Sequence, residues 1–560
     1  MRDENIDKRI GDFLMNMKEK HTHLPKHNEF YSFAVDIANN SSRLAVFFHL
    51  LSYGSIDKNN DLCLFGHFDE LHERISEEEG SFQEVVGRLK ERISNREDIV
   101  LRIGVSRYNF FCLDEIVKFF LNLKGHKEEI EFTTFNVFPV EKIVNNFIEY
   151  MVGLKEKMLT LGVEFIFFDA ELIEILLLIQ FQAQRGGISD RQLVRLLGII
   201  CENAFIGPQT MVFDPFHRCN IKCKHCFVHN PIIHHQQEFL DRKFNYEMFK
   251  SVIDDAAELK VDGIILQGDG EPLLYNKFFD MLRYARGKDI GVLFFTNGSL
   301  LGEREAEEIV SLGVSEVYCS LPAGTPKTYK EVTTIGTEET FNTIVRNLKN
   351  LMSIKRQSGK SAPRLTMTHV IHTINHHELI DMARIDAKIA PDAARFYLIR
   401  LDDNNKPLKL SDKELEVIKN DLPIASAIFK ENNIDFVDNI MFQLNHYDNN
   451  TGAWSKDIFL KEGCTVGWFF CLIPALYDVS MCCHLRTVGH LTKQSFKELW
   501  NSHEYRRYRI KAKFLKDNKD FTFKNGVKLY DEHCEHCDNH QTLLTNLENL
   551  RTLGLYRYLR

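Results

Sequence analysis

The feature that most constrains the fold is an alternation of short apolar segments with amphipathic ones, which begins near residue 210. The apolar segments predict six strands, at residues 211–214, 263–267, 292–296, 316–320, 365–373 and 395–401. The segments between them carry apolar residues at helical spacing, and strands separated by such helices usually pair in parallel. Right-handed crossovers then curl the sheet into a doubly wound or barrel form. We therefore predict an α/β fold whose ligands lie at the carboxyl ends of the strands.

Polar and glycine-rich motifs follow four of these strands at the end where ligands bind. A cysteine run at 219–226 follows the first strand, and the glycine-rich segment 268–272 follows the second. Segment 296–298 follows the third strand, and Ser320 ends the fourth. Packing alone would not place four such motifs at one rim, so the pattern predicts a functional site there.

Cys219, Cys223 and Cys226 have the spacing C-x3-C-x2-C. Thiolates are the usual ligands of iron–sulfur clusters, and four of them would close a four-iron cube. Three thiolates leave one iron without a protein ligand, and an open position on a metal can bind a small molecule. The spacing therefore predicts a cluster with one open iron.

This motif resembles that of the radical SAM superfamily, in which the open iron chelates S-adenosylmethionine (SAM). The resemblance implies a partial (β/α)6 TIM-type barrel and a [4Fe-4S] cluster on Cys219, Cys223 and Cys226. It also implies reductive cleavage of SAM to a 5′-deoxyadenosyl radical, which takes a hydrogen atom from a substrate. His225 stands where the family prefers an aromatic ring, which implies packing on the adenine side.

The segment Gly268-Asp-Gly-Glu-Pro-Leu273 resembles the family's glycine-glycine-glutamate motif. The resemblance implies that Gly268, Gly270 and Glu271 receive the methionine ammonium of SAM. Glycine lets a backbone approach a ligand closely, and an ammonium needs carbonyl or carboxylate acceptors. Asp269 departs from the commonest form, in which two glycines directly precede the glutamate.

Two further positions match sites that the family uses for the nucleoside. The resemblance implies that Ser320 contacts the ribose hydroxyls and that Asn375 lies near the adenosine. The alternatives are a strand-end serine bonded to its own backbone and an asparagine that caps a helix. The loop that follows Cys226 contains three histidines, His229, His234 and His235, whose side chains are expected to be solvated.

A second group of cysteines resembles the SPASM/twitch extension of radical SAM enzymes, which also carries a short helix ending in Leu-Trp-Asn, here 499–501. The resemblance implies one auxiliary [4Fe-4S] cluster, in the shorter twitch form, held by Cys464, Cys482, Cys534 and Cys537. Cys483 could replace Cys482, and Cys471 could replace one of the distal pair. A tetrahedral zinc site is the alternative, because C-x2-C pairs also bind zinc.

We predict five parts along the chain: an N-terminal α/β accessory domain (1–205), the radical SAM core (206–402), a linker (403–463), the auxiliary cluster domain (464–540) and a tail (541–560). The accessory domain is predicted to be helical over most of 1–95, with strands at 99–103, 130–134 and 163–167. It contains no phosphate loop or metal motif. Four scattered cysteines are predicted to be buried apolar side chains, namely Cys63, Cys112, Cys201 and Cys319.

The composition narrows the possible partners. A net charge of −9, without a block of like charges, argues against nucleic acid as the main partner. The longest apolar run, 173–181, is shorter than the roughly 18 residues that span a bilayer. No signal peptide is visible at the N-terminus, so a cytoplasmic protein with no membrane partner is expected. The family resemblance adds an electron donor such as flavodoxin or ferredoxin.

Two substrate classes fit the resemblance. The first is a peptide or protein that the enzyme modifies, with the N-terminal domain as a docking module, and SPASM-like extensions favour this class. The second is a small molecule that is dehydrogenated or rearranged. A third hypothesis, a non-catalytic iron–sulfur or zinc protein, would need no SAM site.

Overall fold

The computed structural model describes residues 171–559 without a gap. Before them it describes residues 80–95, 97, 99, 101–125, 134–158, 161 and 163–167, with scattered positions between 12 and 71. The chain forms two compact units. One unit contains residues 1–205 together with 544–560, and the other contains residues 206–543.

The first unit contains a parallel three-stranded sheet in the order β1-β2-β3. Its strands are β1 (Cys63–Leu64), β2 (Leu101–Val105) and β3 (Val163–Phe167), and its helices are α1 (Ser81–Ser94), α2 (Leu113–Leu123), α3 (Ile143–Met158), α4 (Glu171–Arg185) and α5 (Asp190–Ile200). The predicted strands at 99–103 and 163–167 correspond to β2 and β3. The predicted strand at 130–134, except for its last residue, and most of the predicted helical region 1–95 lie outside the described residues.

The second unit is built on a ten-stranded sheet in the order β10-β9-β8-β7-β6-β5-β4-β11-β12-β13. Its strands are β4 (Thr210–Phe213), β5 (Gly263–Leu266), β6 (Gly291–Thr296), β7 (Glu316–Ser320), β8 (Arg364–Ile371), β9 (Ala393–Leu398), β10 (Asp435–Phe436), β11 (Phe470–Ile473), β12 (Asp478–Ser480) and β13 (Thr487–His490). Strands β4 to β9 are the six predicted ones, and they pair in parallel in chain order. Since β4 and β9 each have another neighbour, the sheet stays open, and the predicted partial barrel is confirmed.

Helices lie between and after the strands of this unit. They are α6 (Gln237–Leu240), α7 (Tyr246–Glu258), α8 (Phe278–Gly287), α9 (Glu303–Leu312), α10 (Pro326–Val332), α11 (Glu338–Ser358), α12 (Leu379–Ile389), α13 (Asp412–Glu431), α14 (Ile440–His446), α15 (Ile458–Glu462), α16 (Phe496–Trp500), α17 (His503–Lys513) and α18 (Leu515–Asn518). Helix α19 (His540–Thr552) follows, and its residues from 544 onward belong to the first unit. Local chemistry sets their ends. Asn245 caps α7 by accepting from the backbone N–H of Met248, and Gly313 ends α9 with a left-handed backbone.

The segment predicted as a linker, 403–463, contains regular structure. Helix α13 begins with a capping box between Ser411 and Glu414 and packs beside α12, and β10 extends the sheet next to β9. Helix α13 therefore supplies the sixth helix of the barrel, which the sequence analysis did not find. Pro423 inside the helix and the turn-forming segment 402–406 before it obscured the helical pattern.

The C-terminal cysteine region continues the barrel sheet. Strand β11 pairs in parallel with β4 along its full length, from Phe470 opposite Thr210 to Ile473 opposite Phe213. Strands β12 and β13 then form an antiparallel meander beyond it. The two cysteine regions therefore share one sheet.

The scattered cysteines behave as predicted where their side chains are described. Cys112, Cys201 and Cys319 are buried free thiols, and Cys63 lies outside the described side chains. Of the helices that the structure describes, none combines the length and the apolar character that crossing a bilayer requires.

Candidate functional site

The cysteines of the first motif lie on a loop that follows β4, and the segment at the end of α10 holds this loop in place. Backbone pairing joins Cys223 to Thr333, and the N–H of Lys224 donates to the carbonyl of Val332 at 2.9 Å. These backbone contacts position the middle of the cysteine loop, at Cys223.

The three thiols lie in a setting that suits iron ligands. Burial raises the pKa of Cys219 to about 11 and raises the pKa of Cys223 well above its usual value, where the other two thiols add to the effect. The Sγ atom of Cys226 accepts from the backbone N–H of His229 at 3.1 Å and of Val228 at 3.4 Å. These raised values describe the thiols without metal, and a thiol that coordinates a metal is deprotonated by it. The backbone N–H···S bonds are of the kind that tune iron–sulfur clusters. The loop therefore fits the cluster implied by its spacing.

The glycine-rich loop after β5 packs directly against the cysteine loop. A Cβ atom at Gly268 would lie 2.1 Å from Oδ1 of Asp214, and one at Gly270 would lie 2.4 Å from the carbonyl oxygens of Phe216 and Arg218. Glycine is required at both positions because any side chain would displace the neighbouring loop. The two motifs, which are distant in sequence, form one surface.

Glu271 is buried at the centre of this surface. Its N–H donates to the carbonyl of Arg218 at 2.8 Å. Its carboxylate accepts from the hydroxyl of Thr296 and the N–H of Asn297, both at 2.8 Å, and from the N–H of Leu273 at 3.3 Å. Burial raises the pKa of Glu271 to about 7, although these three donors favour the charged form. The carboxylate is therefore held rigidly at the ends of β5 and β6.

A polar cluster, made of the buried Asp214, His217 and His229 and the partly exposed Asp269, lies beside the cysteine loop. His217 Nε2 lies 2.6 Å from a carboxylate oxygen of Asp214 and 3.8 Å from one of Asp269. His229 Nε2 donates to the carbonyls of His217 and Asp269 at 2.8 and 2.5 Å. Burial and then the nearby Asp214 raise the pKa of Asp269 to about 6. The prediction of a solvated side chain was wrong for His229, because the loop folds back and buries it.

His225 faces His372, which lies just after β8. The two ring centroids are 5.4 Å apart, and burial lowers the pKa of His225 to about 4 and that of His372 to about 2. Both imidazoles are therefore neutral near pH 7. A neutral flat pair of this kind is suited to packing against an adenine, the role predicted for His225.

Ser320 lies at the carboxyl end of β7, where its side chain is half-buried and points into the barrel beside Thr368 of β8. Its hydroxyl makes no hydrogen bond with the residues that the structure describes. The alternative in which it bonds to its own backbone is therefore not observed, and a contact with the ribose stays a prediction.

Asn375 is fully buried and uses its whole amide on the backbone. Its Oδ1 accepts from the N–H of His372 at 2.8 Å, and its Nδ2 donates to the carbonyls of Pro322 and Val370 at 2.9 and 2.8 Å. This geometry favours a structural role, in which Asn375 ties the end of β8 to the segment after β7, over the predicted contact with the nucleoside.

The second group of cysteines lines one cavity with about 390 Å³ of empty space, part of it open to solvent. The four predicted ligands all contribute to its wall, namely Cys464, Cys482, Cys534 and Cys537. Ser455 joins the last two, because its hydroxyl donates to the carbonyl of Cys534 at 2.8 Å and accepts from the N–H of Cys537 at 3.0 Å. Burial raises the pKa of Cys464 to about 12 and that of Cys534 to about 11. Four convergent thiols around a cavity fit an auxiliary cluster.

Arg486 supplies a buried positive charge to this cavity, and the sequence analysis did not identify it. Its guanidinium donates to the Sγ atoms of Cys482 and Cys534, both at 3.3 Å, and to the carbonyl of Lys528 at 2.9 Å. Asp531 accepts from the same group at 3.0 Å. Its position shortly after the cysteine pair 482–483 could have suggested a place near the cluster. An arginine near cysteines does not by itself indicate a site, however.

The two alternative ligands differ in position. Cys471 is fully buried in β11 and does not line the cavity. Cys483 is exposed, and its Sγ lies within 4.8 Å of the Sγ of Cys537 and of a ring nitrogen of His484. Of the two alternative ligands, Cys483 therefore lies beside a predicted ligand, Cys537, and Cys471 does not line the cavity.

Comparisons with known proteins define the class of the chain. Residues 214–385 match the radical SAM superfamily, and residues 464–538 match the SPASM iron–sulfur cluster-binding domain. The chain therefore contains a radical SAM domain and a SPASM iron–sulfur domain, as predicted. Domains of these two kinds hold a [4Fe-4S] cluster with SAM and auxiliary iron–sulfur clusters.

Curated relatives match part of the chain. The chain is 30% identical over 179 residues to a tungsten-containing aldehyde ferredoxin oxidoreductase cofactor-modifying protein of Pyrococcus furiosus, covering 31% of this chain and 47% of the relative. It is 25% identical over 215 residues to a GTP 3′,8-cyclase of Clostridium perfringens, covering 37% of this chain and 61% of the relative. The chain thus spans about half the length of the curated relatives that it matches.

Solved structures show a weaker resemblance. The crystal structure of Streptococcus suis SuiB bound to S-adenosylmethionine is 14% identical, with a TM-score of 0.45. The match covers 74% of this chain and 90% of that chain.

Proposed function

We propose that this enzyme reductively cleaves SAM to a 5′-deoxyadenosyl radical and abstracts a hydrogen atom from a substrate bound inside the barrel. One observation carries the proposal. The glycine-rich loop and the cysteine loop interlock through Gly270 and through the bond from Glu271 N–H to the carbonyl of Arg218. A cluster ligand set and an acceptor for an ammonium group therefore lie on a single surface at the carboxyl ends of the strands.

Each part of this surface has a chemical task in the proposal. Cys219, Cys223 and Cys226 would hold three irons of the cluster. The carboxylate of Glu271, fixed by its three donors, would accept from the methionine ammonium. His225 would pack on the adenine, and the unpaired hydroxyl of Ser320 would bond to the ribose.

When bound, the cluster supplies the electron that cleaves SAM, which is chemistry that side chains cannot perform. The chain must keep water and stray C–H bonds away from the primary carbon radical. The buried side chains around the site serve this purpose, since Glu271, His372 and Asn375 are each less than 5% exposed.

The substrate class is the open part of the proposal. The curated relatives are named for cofactors and nucleotides, which favours a small molecule. The polar interior of the barrel, described below, also suits a small polar compound. The peptide substrate expected from the sequence stays a prediction.

The central test combines metal analysis with product analysis under anaerobic conditions. The reconstituted protein should contain about eight irons, the number in two four-iron cubes, and the Cys219/Cys223/Cys226→Ala triple variant about four. The wild type should release 5′-deoxyadenosine after reduction, and the triple variant should not. A Cys201→Ala variant controls for the loss of a buried thiol and should behave like wild type. Zinc in place of iron, or no 5′-deoxyadenosine from the wild type, would contradict the proposal.

A second experiment separates the substrate classes. A low-molecular-weight extract of the source cells is added to the reduced enzyme, with and without prior protease treatment, and 5′-deoxyadenosine is measured. Stimulation that survives the protease indicates a small molecule, whereas stimulation that the protease destroys indicates a peptide.

A further inference from the structure

A row of side chains crosses the interior of the barrel at the level of Ser320. Ser320 on β7 is in register with Thr368 on β8, and Thr368 is in register with Arg395 on β9. Partners in register project from the same face of a parallel sheet. The opposite face of β9 packs against the outer helices, because Phe396 contacts the ring of Phe429 in α13 at 5.7 Å. Arg395 therefore points into the barrel.

The guanidinium of Arg395 is surrounded by aromatic rings. Its Cζ lies 4.0 Å from the ring centroid of Tyr318, 4.8 Å from that of Tyr397 and 5.7 Å from that of Phe295. Its Nε donates to the hydroxyl of Thr368 at 3.2 Å. These contacts hold the planar group in one orientation and leave its two terminal nitrogens free to bind.

Arg395 has no acidic partner among the described residues, since none of their carboxylate oxygens lies within 4 Å of its guanidinium. Arg364, the first residue of the neighbouring strand β8, does have acidic partners. It pairs with Glu316 at 3.6 Å and with Asp435 at 2.5 Å. An unpaired guanidinium that is half-buried lacks the counter-charge that such groups usually have in proteins. The difference between the two arginines indicates that Arg395 is kept available for an external anion.

A second arginine lies at the mouth of the barrel. Arg400 follows β9, and its Cζ lies 4.3 Å from the ring centroid of Phe227, the residue after Cys226. Within the described part of the chain, its guanidinium also has no carboxylate oxygen within 4 Å. The carboxyl group of Asp538 interacts electrostatically with both arginines, although it forms an ion pair with neither.

We propose that Arg395, with Arg400 at the entrance, binds an anionic group of the substrate, a carboxylate or a phosphate. This inference rests on the proposed function and adds the substrate chemistry to it. Guanidinium groups bind both anions through paired N–H···O bonds, so the two share one recognition chemistry. Because Arg395 is level with Ser320, the anion would lie beside the expected position of the ribose. The reactive C–H bond would then be close to the anionic group of the substrate.

The test maps arginine reactivity on the reconstituted holoenzyme. Phenylglyoxal modifies accessible arginines, and mass spectrometry of the digested protein reports the rate at each position. The enzyme is compared alone, with SAM, and with SAM plus inorganic phosphate or succinate. We expect Arg395 and Arg400 to react in the presence of SAM alone. Phosphate or succinate at ten times its dissociation constant should slow both reactions about tenfold.

The exposed Arg346 of α11 is the internal control, and its rate should not respond to either anion. In an Arg395→Gln variant, the protection of Arg400 should be lost, whereas an Arg346→Gln variant should keep it. Protection by phosphate alone identifies a phosphate site, and protection by succinate alone identifies a carboxylate site. Protection by both supports the shared chemistry.

Three outcomes would overturn the inference: no reaction at Arg395, equal rates with and without the anions, or full protection by SAM alone, which would assign Arg395 to the methionine carboxylate. Release of 5′-deoxyadenosine by the wild type is measured in parallel. An enzyme that cleaves SAM without anion protection contradicts this inference only. A protein that shows protection but never cleaves SAM contradicts the proposed function only.

Discussion

Arg486 donates an N–H···S hydrogen bond of 3.3 Å to Cys482, a predicted ligand of the auxiliary cluster. The same guanidinium reaches Cys534 at an equal distance, and Asp531 and a backbone carbonyl hold it in place. Arginine keeps its charge at any physiological pH. Burial lowers the pKa of Arg486, but the two sulfur atoms and Asp531 outweigh it and raise the pKa overall. A fixed positive charge therefore lies against the sulfur atoms of the predicted cluster.

Replacing this arginine should lower the reduction potential of the auxiliary cluster. A cluster gains negative charge on reduction, and a cationic donor stabilises the more negative state. If the lost donor favours the reduced state by about 1–2 kcal/mol, the one-electron potential of Arg486→Gln falls by on the order of 40–90 mV. A redox titration followed by electron paramagnetic resonance measures the change. Arg507→Gln, an exposed arginine of α17, is the matched control, and equal potentials in the two variants would contradict the assignment.

Gly270→Ala should disrupt the contact between the two loops of the SAM site. The added Cβ would lie 2.4 Å from two backbone carbonyl oxygens, which cannot rotate away as a side chain can. We expect a loss of about 1–3 kcal/mol in the free energy of unfolding, together with weaker SAM binding. Gly287→Ala is the control, because its Cβ would meet no atom within 4 Å at the end of α8, and it should be neutral or slightly stabilising. Denaturant unfolding and SAM titration measure both effects.

The sequence predicts the barrel strands well because most of them are short, largely apolar runs between polar turns. The predicted segment at 316–320 coincides with β7, and that at 292–296 misses one residue of β6. Helix α13 was missed because Pro423 lies in its interior and polar turn residues precede it. Tertiary packing against α12 stabilises this helix, and a local pattern does not report such packing.

The site is predictable only where its residues form a local motif. Cys219, Cys223 and Cys226 share one loop, so their spacing alone reveals them. Arg395 and Arg486 do not follow from spacing, because the register of β9 and the folding of the C-terminal region place them. Asn375 is the opposite case. Its position matches one that the family uses near the nucleoside, but its side chain is already hydrogen-bonded to the backbone.

Glu271 should make the stability of the cofactor-free protein depend on pH. Its pKa is raised from its usual value of 4.5 to about 7 in the fold, and burial is the main cause. Between these values the folded state holds a proton that the unfolded state has lost, so the contribution of Glu271 to stability is largest below pH 4.5. It falls as pH rises, by about 3 kcal/mol once pH exceeds 7.

A comparison with Glu271→Gln isolates this contribution, because glutamine does not titrate. The difference in unfolding free energy between wild type and variant should change with pH between 4.5 and 7 and stay constant above that range. Denaturant unfolding at several pH values measures it. A difference that does not vary with pH would show that Glu271 ionises normally in the fold. The variant should also bind SAM about tenfold more weakly, because the amide replaces a charged acceptor.

The ligand set of the auxiliary cluster can be decided by single substitutions. Cys482 lines the cavity with Cys464, Cys534 and Cys537, whereas Cys471 is buried in β11 away from it. We expect Cys482→Ala to lose about four irons, the content of one cube, and Cys471→Ala to lose none. Cys483→Ala should also keep its iron, because Cys483 does not line the cavity, although its Sγ lies beside that of Cys537. Iron and sulfide analysis of each purified variant checks the result. Iron loss in Cys483→Ala with full retention in Cys482→Ala would reverse the assignment and place the cluster on the exposed cysteine.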